Sequence, residues 1–322
     1  MKIVELLDRA TEPLISYEIV PPKRGSSANQ IMKIVSDLVE FEPPFIDVTS
    51  HSAQVYYEEM GGGTWKKHVK RKRPGTLGLC AAIKHRFNIE PVPHLLCHGF
   101  TREETEDALI ELNYLGIQNI MALRGDEMQV EKRVDKSRSI NHYAGDLVAQ
   151  VDDMNQGHFL EDIIDGMPTN FCVGVAGYPE KHFEAPNLTW DILNLKRKVD
   201  AGAEYVVTQM FFNNDHYFSF VERCREVGIT VPIIPGLKIM TSKRQLQMLP
   251  KRFFLEIPEA LAAEVEEADP KHVVDIGVEW ALRQAEELLN ADLPCVHFYI
   301  LQKADTVKRV VSKLKGTTLA KG

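Results

Sequence analysis

No stretch of this chain approaches the roughly 18 consecutive apolar residues that a membrane span needs. Its amino-terminal Met-Lys-Ile-Val-Glu-Leu-Leu-Asp-Arg carries acids where a secretory leader would carry its apolar segment. Cysteine is sparse: Cys80, Cys97, Cys172, Cys224 and Cys295 are scattered, odd in number and without a CxxC pair. A disulfide framework is therefore not expected, and a cytoplasmic, reducing setting is. Surplus positive charge is missing too. With 38 Lys and Arg against 46 Asp and Glu, the net charge is −8 and the pI about 5.8, which argues against a nucleic-acid binder or a protein that docks on an anionic membrane. The basic run Lys66 to Arg73 holds six Lys or Arg but lacks the interleaved aromatics of a base-stacking platform, so it reads as a solvated helix face or loop. No linker rich in Gly, Pro or Ser divides the chain, no repeat of period about 20 to 50 is present, and no GxGxxG follows any expected strand.

What is present is an alternation of helices and short apolar runs. Glu104 to Leu115 forms an amphipathic pattern, Gly116 a turn, and Asn119 to Leu123 a run short and apolar enough for a strand buried on both faces. The same reading predicts strands at Ile15 to Val20, Phe45 to Thr49, Pro93 to Cys97, Cys172 to Ala176, Tyr205 to Met210, Val231 to Ile234 and Val296 to Leu301. Helices are predicted at Asn29 to Phe41, Pro74 to Phe87, from Thr101 with Glu104 as capping-box partner, and from about Ala144. More follow at Thr189 to Asp200, His216 to Glu226, from Ser242, and at Pro258 to Ala268, Pro270 to Asn290 and Asp305 to Leu314, with Glu127 to Arg138 a charged loop. Eight strands separated by helices make an α/β chain, a (β/α)8 TIM barrel with extra helices and loops around its mouth, residues 1–322 forming one domain. Ligands bind such folds at the C-terminal strand ends. Arg124-Gly-Asp126, where the fourth strand stops, is accordingly read as part of a site.

Strand alternation sends Ser16, Glu18 and Val20 to one face and Ile15, Tyr17 and Ile19 to the other. The apolar set suits the helix layer, so Glu18 points inward near the mouth. Desolvation there favours the protonated carboxyl and would make it a general acid near neutral pH; a structural ion pair with a neighbouring strand explains the position equally well. Thr49, His94, Tyr178 and Gln209 are polar where a barrel strand is normally apolar or just ending, and all can converge on one mouth. His94, Cys97 and His98 do not make a metal site, because adjacent strand residues face opposite ways and no acidic partner stands at ligand spacing. On the helix after the fifth strand, Asp191, Asn194, Arg197 and Lys198 fall within an arc of about 120° at about 100° per residue, apart from Ile192, Leu195 and Val199. Two readings stand: a solvated face with i,i+3 and i,i+4 pairs, or a groove in which cations meet pyrophosphate and Asp and Asn meet sugar hydroxyls.

Ser16-Tyr-Glu-Ile-Val-Pro-Pro22, Asp47-Val-Thr49, Pro93-His-Leu-Leu-Cys97, Ala122-Leu-Arg-Gly-Asp126, Tyr143-Ala-Gly-Asp146, Tyr178-Pro-Glu180, Leu193-Asn-Leu-Lys-Arg-Lys-Val-Asp-Ala-Gly202, Thr208-Gln-Met-Phe-Phe212, Pro235-Gly236 and His297-Phe-Tyr299 occur in this order over nearly the whole chain. In these segments the sequence resembles the methylenetetrahydrofolate reductases, FAD-dependent (β/α)8 barrels of one-carbon metabolism. The resemblance implies reduction of 5,10-methylenetetrahydrofolate to 5-methyltetrahydrofolate, with NADH or NADPH as reductant and FAD as hydride carrier. It implies that Glu18 is the acid that opens the folate imidazolidine ring and that Asp126 lies near the flavin pyrimidine ring and the folate. Thr49, His94, Arg124, Gly125, Asp126, Tyr143, Ala144, Tyr178, His182, Asp191, Asn194, Arg197 and Lys198 match positions that hold FAD; Gln209, Gln245 and Lys303 match substrate contacts. Two departures stand out. Phe298-Tyr-Ile-Leu-Gln-Lys303 replaces the usual Phe-Tyr-Thr-Leu-Asn-Arg, so a lysine without the bidentate fork faces the folate tail, and Leu249 aligns where an aromatic usually stacks on folate. The expected partner is a small folate; the sequence leaves room for a homo-oligomer.

Overall fold

The computed structural model describes residues 1–70, 73, 75–125, 134, 138–301 and 303–321. Helix α1 (Ile3–Arg9) leads into β1 (Leu14–Ile19), α2 (Ala28–Val39) and β2 (Phe45–Val48), and a hairpin of β3 (Gln54–Gly61) and β4 (Thr64–Lys70) follows. The chain continues through α3 (Thr76–Phe87), β5 (Glu90–Leu96), α4 (Arg102–Tyr114), β6 (Asn119–Leu123), α5 (Ala144–Asn155), β7 (Cys172–Gly177) and α6 (Leu188–Asp200). Next come β8 (Tyr205–Thr208), α7 (Asn214–Glu226), β9 (Ile233–Ile234) and β10 (Gly236–Leu237). Helices α8 (Gln245–Phe253), α9 (Glu259–Glu267) and α10 (Val273–Asn290), strand β11 (Cys295–Leu301) and helix α11 (Asp305–Lys321) complete the order.

All the strands but the hairpin pair in parallel, in the order β10-β11-β1-β2-β5-β6-β7-β8-β9. Strands β9 and β10 are the two halves of the seventh barrel strand, interrupted at Pro235, which has no N–H to give to a ladder. Counted as one, they close a ring of eight, and the backbone N–H of Gly236 ties that strand to β8 through the Thr208 Oγ1 at 2.9 Å. The (β/α)8 barrel expected from the alternation is the fold.

The local chemistry behaves as the pattern requires. Ile15, Tyr17 and Ile19 join Ile31, Ile34, Val35 and Leu38 of α2 in the layer between strands and helices, and Ser27 caps α2 by accepting from the Asn29 N–H at 3.1 Å. The capping box at α4 is reciprocal: Thr101 N–H donates to Glu104 Oε2 at 2.9 Å and Glu104 N–H to Thr101 Oγ1 at 3.0 Å. Inside the ring a second apolar layer gathers Phe45, Val92, Cys172, Tyr205 and Cys295 with Ile3 and Leu7 of α1. Helix α1 therefore plugs the N-terminal end of the barrel. Burying Ile3 and Leu7 contributes about 3–5 kcal/mol, and Asn119 fixes the plug by accepting from Ile3 N–H at 2.8 Å and donating to the Met1 carbonyl at 2.9 Å. Gly174 is needed in this layer, because a Cβ there would stand 2.3 Å from Cζ of Tyr205. With the bottom filled, polar groups gather at the other end.

Several boundaries differ from the sequence reading. As far as Lys70 the basic run is a β-hairpin strand, neither helix nor loop: β3 and β4 pair antiparallel, Glu58 opposite Lys66 and Tyr57 opposite Lys67. The turn between them uses Gly61, Gly62 and Gly63, all at positive φ. Arg71 and Lys72 of that run, most of the charged loop 127–138 and Asp126 itself lie outside the described residues. Strand β5 begins at Glu90, ahead of the expected start at Pro93, and ends at Leu96. β8 ends at Thr208, so Gln209 follows the strand instead of lying within it. Helix α8 starts at Gln245, three residues after Ser242. Helix α1 was not foreseen.

Candidate active site

At the C-terminal end of the ring lies a cavity of about 420 Å³. Glu18, Thr49, His94, Arg124, Gly125 and Tyr178 line it, as do His182, Gln209, Gln245 and Leu249. Ten residues singled out in the sequence thus share one mouth. Register explains the centre of it. Glu18 on β1 stands level with Asp47 on β2 and with Tyr299 on β11, and His94 reaches in from β5.

His94 Nε2 is 3.2 Å from Asp47 Oδ2 and 3.7 Å from Glu18 Oε2. Asp47 is 1% exposed, and its Oδ1 has no protein partner. Burial pushes the Glu18 carboxyl up to about 7; Asp47 adds to the rise, while His94 and Lys238 oppose it. Burial works against charge on His94, but the hydrogen bond to Asp47 and the fields of Glu18 and Asp47 outweigh it and raise its pKa. The two readings of Glu18 left open by the sequence meet here: it has an ionisable neighbour, and it also keeps its proton to near-neutral pH.

Three contributors to this end had no role assigned from sequence. Asp47 is a lone acid in Phe45-Ile-Asp-Val48, visible as an anomaly but without a partner until register is known. His297, pushed down to about 4 by burial, pairs its Nδ1 with Ser16 Oγ at 2.8 Å. Lys238, just past β10, also lines the cavity; a lysine between Leu237 and Ile239 was its signal.

Away from the centre, Tyr178 meets His182 edge to face at 4.7 Å between ring centroids. The His182 N–H donates to Asp191 Oδ2 at 2.7 Å, which joins the cavity wall to α6. Lys198 Nζ donates to the Ala176 carbonyl at 2.6 Å. Burial lowers the Lys198 pKa to about 8, with Asp191 opposing, and burial raises that of Asp191 against the His182 N–H bond. Arg124 sits 5.3 Å over the Tyr143 ring and is paired with Glu184. Ala144 opens α5, and a Cβ on the next residue, Gly145, would lie 3.9 Å from Lys198 Cγ. So Tyr143, Ala144, Asp191 and Lys198 adjoin the cavity without lining it. Asn194 and Arg197 are exposed and bonded to each other at 3.0 Å, as a solvated i,i+3 pair. Lys303 is exposed and outside the cavity lining. Gln245 Oε1 accepts from the Thr241 and Ser242 N–H groups at 2.6 and 3.0 Å, leaving its amide nitrogen as the group free of those bonds.

Could this set hold a flavin dinucleotide? Thr49 Oγ1 is buried at the mouth without a hydrogen-bond partner, Gly125 holds a φ of +89° at the end of the fourth-strand segment, and an enclosed ammonium stands beside an acid on α6. Hydroxyl, positive-φ backbone and cation are the groups a ring system, a close backbone approach and a pyrophosphate need. The residues fit the group. Among the described residues no cluster of three or more His, Cys, Asp or Glu could hold a metal ion, and no helix is long and apolar enough to cross a membrane.

The profile of the methylenetetrahydrofolate reductase family matches residues 2–315. The chain belongs to that family. It is 29% identical over 293 residues to the 5,10-methylenetetrahydrofolate reductase of Pectobacterium carotovorum, covering 90% of this chain and 86% of that protein. It is 29% identical over 315 residues to methylenetetrahydrofolate reductase (NADH) 1 of Arabidopsis thaliana, of which it spans 48%. Among solved structures, an uncharacterized Clostridium thermocellum protein that binds two copies of 5-methyl-5,6,7,8-tetrahydrofolic acid superposes with a TM-score of 0.57 over 96% of each chain at 12% identity, a likeness of fold. Family membership makes this barrel an oxidoreductase of folate chemistry, and its mouth the place to look for that reaction.

Proposed function

We propose that the chain, as a single catalytic barrel domain, reduces 5,10-methylenetetrahydrofolate to 5-methyltetrahydrofolate with NADH or NADPH through bound FAD. The observation that carries this reading is a buried, inward carboxyl, Glu18, whose pKa burial raises to about 7, at the mouth of a reductase-family barrel. When bound, FAD supplies the hydride relay, accepting from the nicotinamide and giving to the methylene carbon of the folate. The remaining chemistry falls to side chains. Opening the imidazolidine ring breaks a carbon–nitrogen bond and leaves electrons on the departing nitrogen, and Glu18 supplies the proton that nitrogen takes. The hydride then saturates the exposed carbon, so one hydride and one proton enter per turnover. A carboxyl with a pKa near 7 is half protonated at neutral pH and is readily reloaded from water.

Thr49, His94, Gly125, Tyr178 and His182 would hold the flavin end of the dinucleotide; Arg124, Tyr143 and Ala144 would continue the grip, and Asp191, Asn194, Arg197 and Lys198 would take its pyrophosphate and sugar. Gln209, the amide nitrogen of Gln245 and Lys303 would receive the folate. Asp126 is assigned, from the sequence resemblance, to the electrostatics of the flavin and the folate cation.

The test separates the two halves of the reaction. Purified protein should be yellow or take up FAD, bleach with NADH or NADPH, and recover colour on adding the folate. Glu18→Gln should bleach at a near wild-type rate and lose recovery by about 10² or more. Equal loss of both halves would reject the acid role, and a protein that takes up no FAD would reject the reading.

A further inference from the structure

Lys238 is the one lysine or arginine among the most buried polar side chains of the described residues, 8% exposed. Its place follows from register. Gly236 and Leu237 pair with His297 and Phe298, so Lys238 comes level with Tyr299, the residue that also stands level with Glu18. Leu237 belongs to the helix-facing layer, and alternation turns Lys238 inward. Lys238 and Glu18 thus sit on either side of β11 at one height, about 10 Å apart at Cα given strand spacings near 4.8 Å. Both line the same cavity. Inward-pointing side chains shorten that separation.

The ammonium has three donors. One goes to the Tyr299 carbonyl at 2.7 Å, and no carboxylate of the described residues comes within 4.0 Å of it. A buried cation without a contact anion is costly, and an ordinary β-strand end does not need one. Its field reaches Glu18: Lys238 lowers the carboxyl pKa, and Glu18 in turn supports the charge on a lysine that burial brings down to about 8. Among the described residues, the other titratable groups on the strands around Glu18 are His94 from β5, Asp47 from β2, and Tyr299 and His297 from β11, while His51, Arg124, Tyr178, His182, Glu184 and Arg252 complete the charged and titratable lining of the cavity. His94 and Asp47 are bonded to each other, and His297 is held neutral by burial. Among the described groups on the strands around Glu18, that leaves Lys238 as the cation with no carboxylate in contact.

We propose that Lys238 is a positioning residue for this reaction: its ammonium, across β11 from Glu18 at the same level of the barrel, sets the pH range over which Glu18 can deliver its proton. This rests on the acid role of Glu18 given above. While Lys238 is charged, the carboxylate left after proton transfer has a cation in its field, so the acid is stronger than burial alone would make it. Above about pH 8 the lysine itself discharges, and that help is withdrawn.

The experiment compares wild type with Lys238→Met, which keeps the stem and removes the charge. Two quantities are read: the basic limb of the pH profile for folate reduction by pre-reduced enzyme, and the titration of the carboxyl C=O infrared band of unliganded protein that vanishes in Glu18→Gln. Loss of the cation disfavours the carboxylate, so both should move to higher pH, by about one unit for a charge at roughly 8–10 Å and an effective dielectric near 20. Lys238→Arg, which keeps the charge, should leave both near wild type. An unmoved or lowered infrared titration in Lys238→Met overturns the proposal. Should that variant fail to fold, Lys238→Gln gives the same comparison. Failure of the functional reading looks different: wild type would reduce no folate at any pH, while the infrared titration would still report on Lys238.

Discussion

Replacing Glu18 by glutamine removes a titration without changing the shape of the side chain, and the structure fixes how stability must respond. Burial raises this carboxyl from 4.5 to about 7, so between those values the native state holds a proton that the unfolded chain has shed. The sign follows from linkage: the contribution is complete below about pH 4.5 and is lost as pH rises through 7. At about 1.4 kcal/mol per pH unit, the window amounts to about 3 kcal/mol. This is a net figure, since His94 and Lys238 already offset part of the desolvation. Glutamine carries no such penalty. The unfolding free energy of Glu18→Gln relative to wild type should therefore climb by about 3 kcal/mol from pH 4.5 to 8, most of it between pH 5 and 7, and level off above. Urea unfolding of unliganded protein over that range, with similar slopes in both proteins, gives the difference directly. A difference that stays flat, or that turns against the variant as pH rises, would show that Glu18 is ionised in the native state through this range and would remove the basis of its acid role.

Two further outcomes follow from packing and charge elsewhere. Gly174→Ala puts a methyl 2.3 Å from Cζ of Tyr205 and should cost about 1–3 kcal/mol of unfolding free energy; Tyr205→Leu in the same chain should recover part of it, and no change in the single variant would mean the interior is looser than the structure has it. Lys198→Met should weaken FAD uptake about ten- to a hundredfold in an apoprotein titration, the value of one charge-assisted bond of about 1.5–3 kcal/mol, with unchanged uptake placing the dinucleotide elsewhere.

The barrel was legible because every unit repeats one physical problem: a strand buried on both faces must be followed by a helix that covers it. Ile15, Tyr17 and Ile19 against Ser16 and Glu18 show how period two already sorts the helix side from the interior. The hairpin escaped because little of it is buried: Val55 is, but Tyr57, Trp65 and Val69 stay more than half exposed, so no core-facing stripe marked the segment. Glu18 announced itself as a lone carboxyl in an apolar run. Asp47 is equally alone, yet its meaning depends on standing one strand away from His94, and pairing register is a tertiary fact. The helical wheel of α6 grouped Asp191, Asn194, Arg197 and Lys198 correctly by angle. It could not say how the helix is rolled about its axis, and only Asp191 and Lys198 bond to the segments that line the cavity.

Arg124, Glu184 and Arg252 also line the cavity, but the charges on the strands around Glu18 make sense when counted as a group of their own. Asp47 and His94 form a bonded pair whose fields favour one anion and one cation, and His297 is kept neutral. What remains is Glu18 with its proton and Lys238 with its positive charge. Before proton transfer the group carries one net positive charge; after it, carboxylate and ammonium cancel. Giving up the proton therefore leaves a carboxylate with a compensating cation one strand further round the ring instead of an anion without one, which eases release of the proton from a buried carboxyl. Burial alone would hold the proton too tightly, and a contact ion pair would strip it away well below neutral pH. A cation set one strand further off supplies the intermediate case, and the barrel provides that spacing through its own ladder.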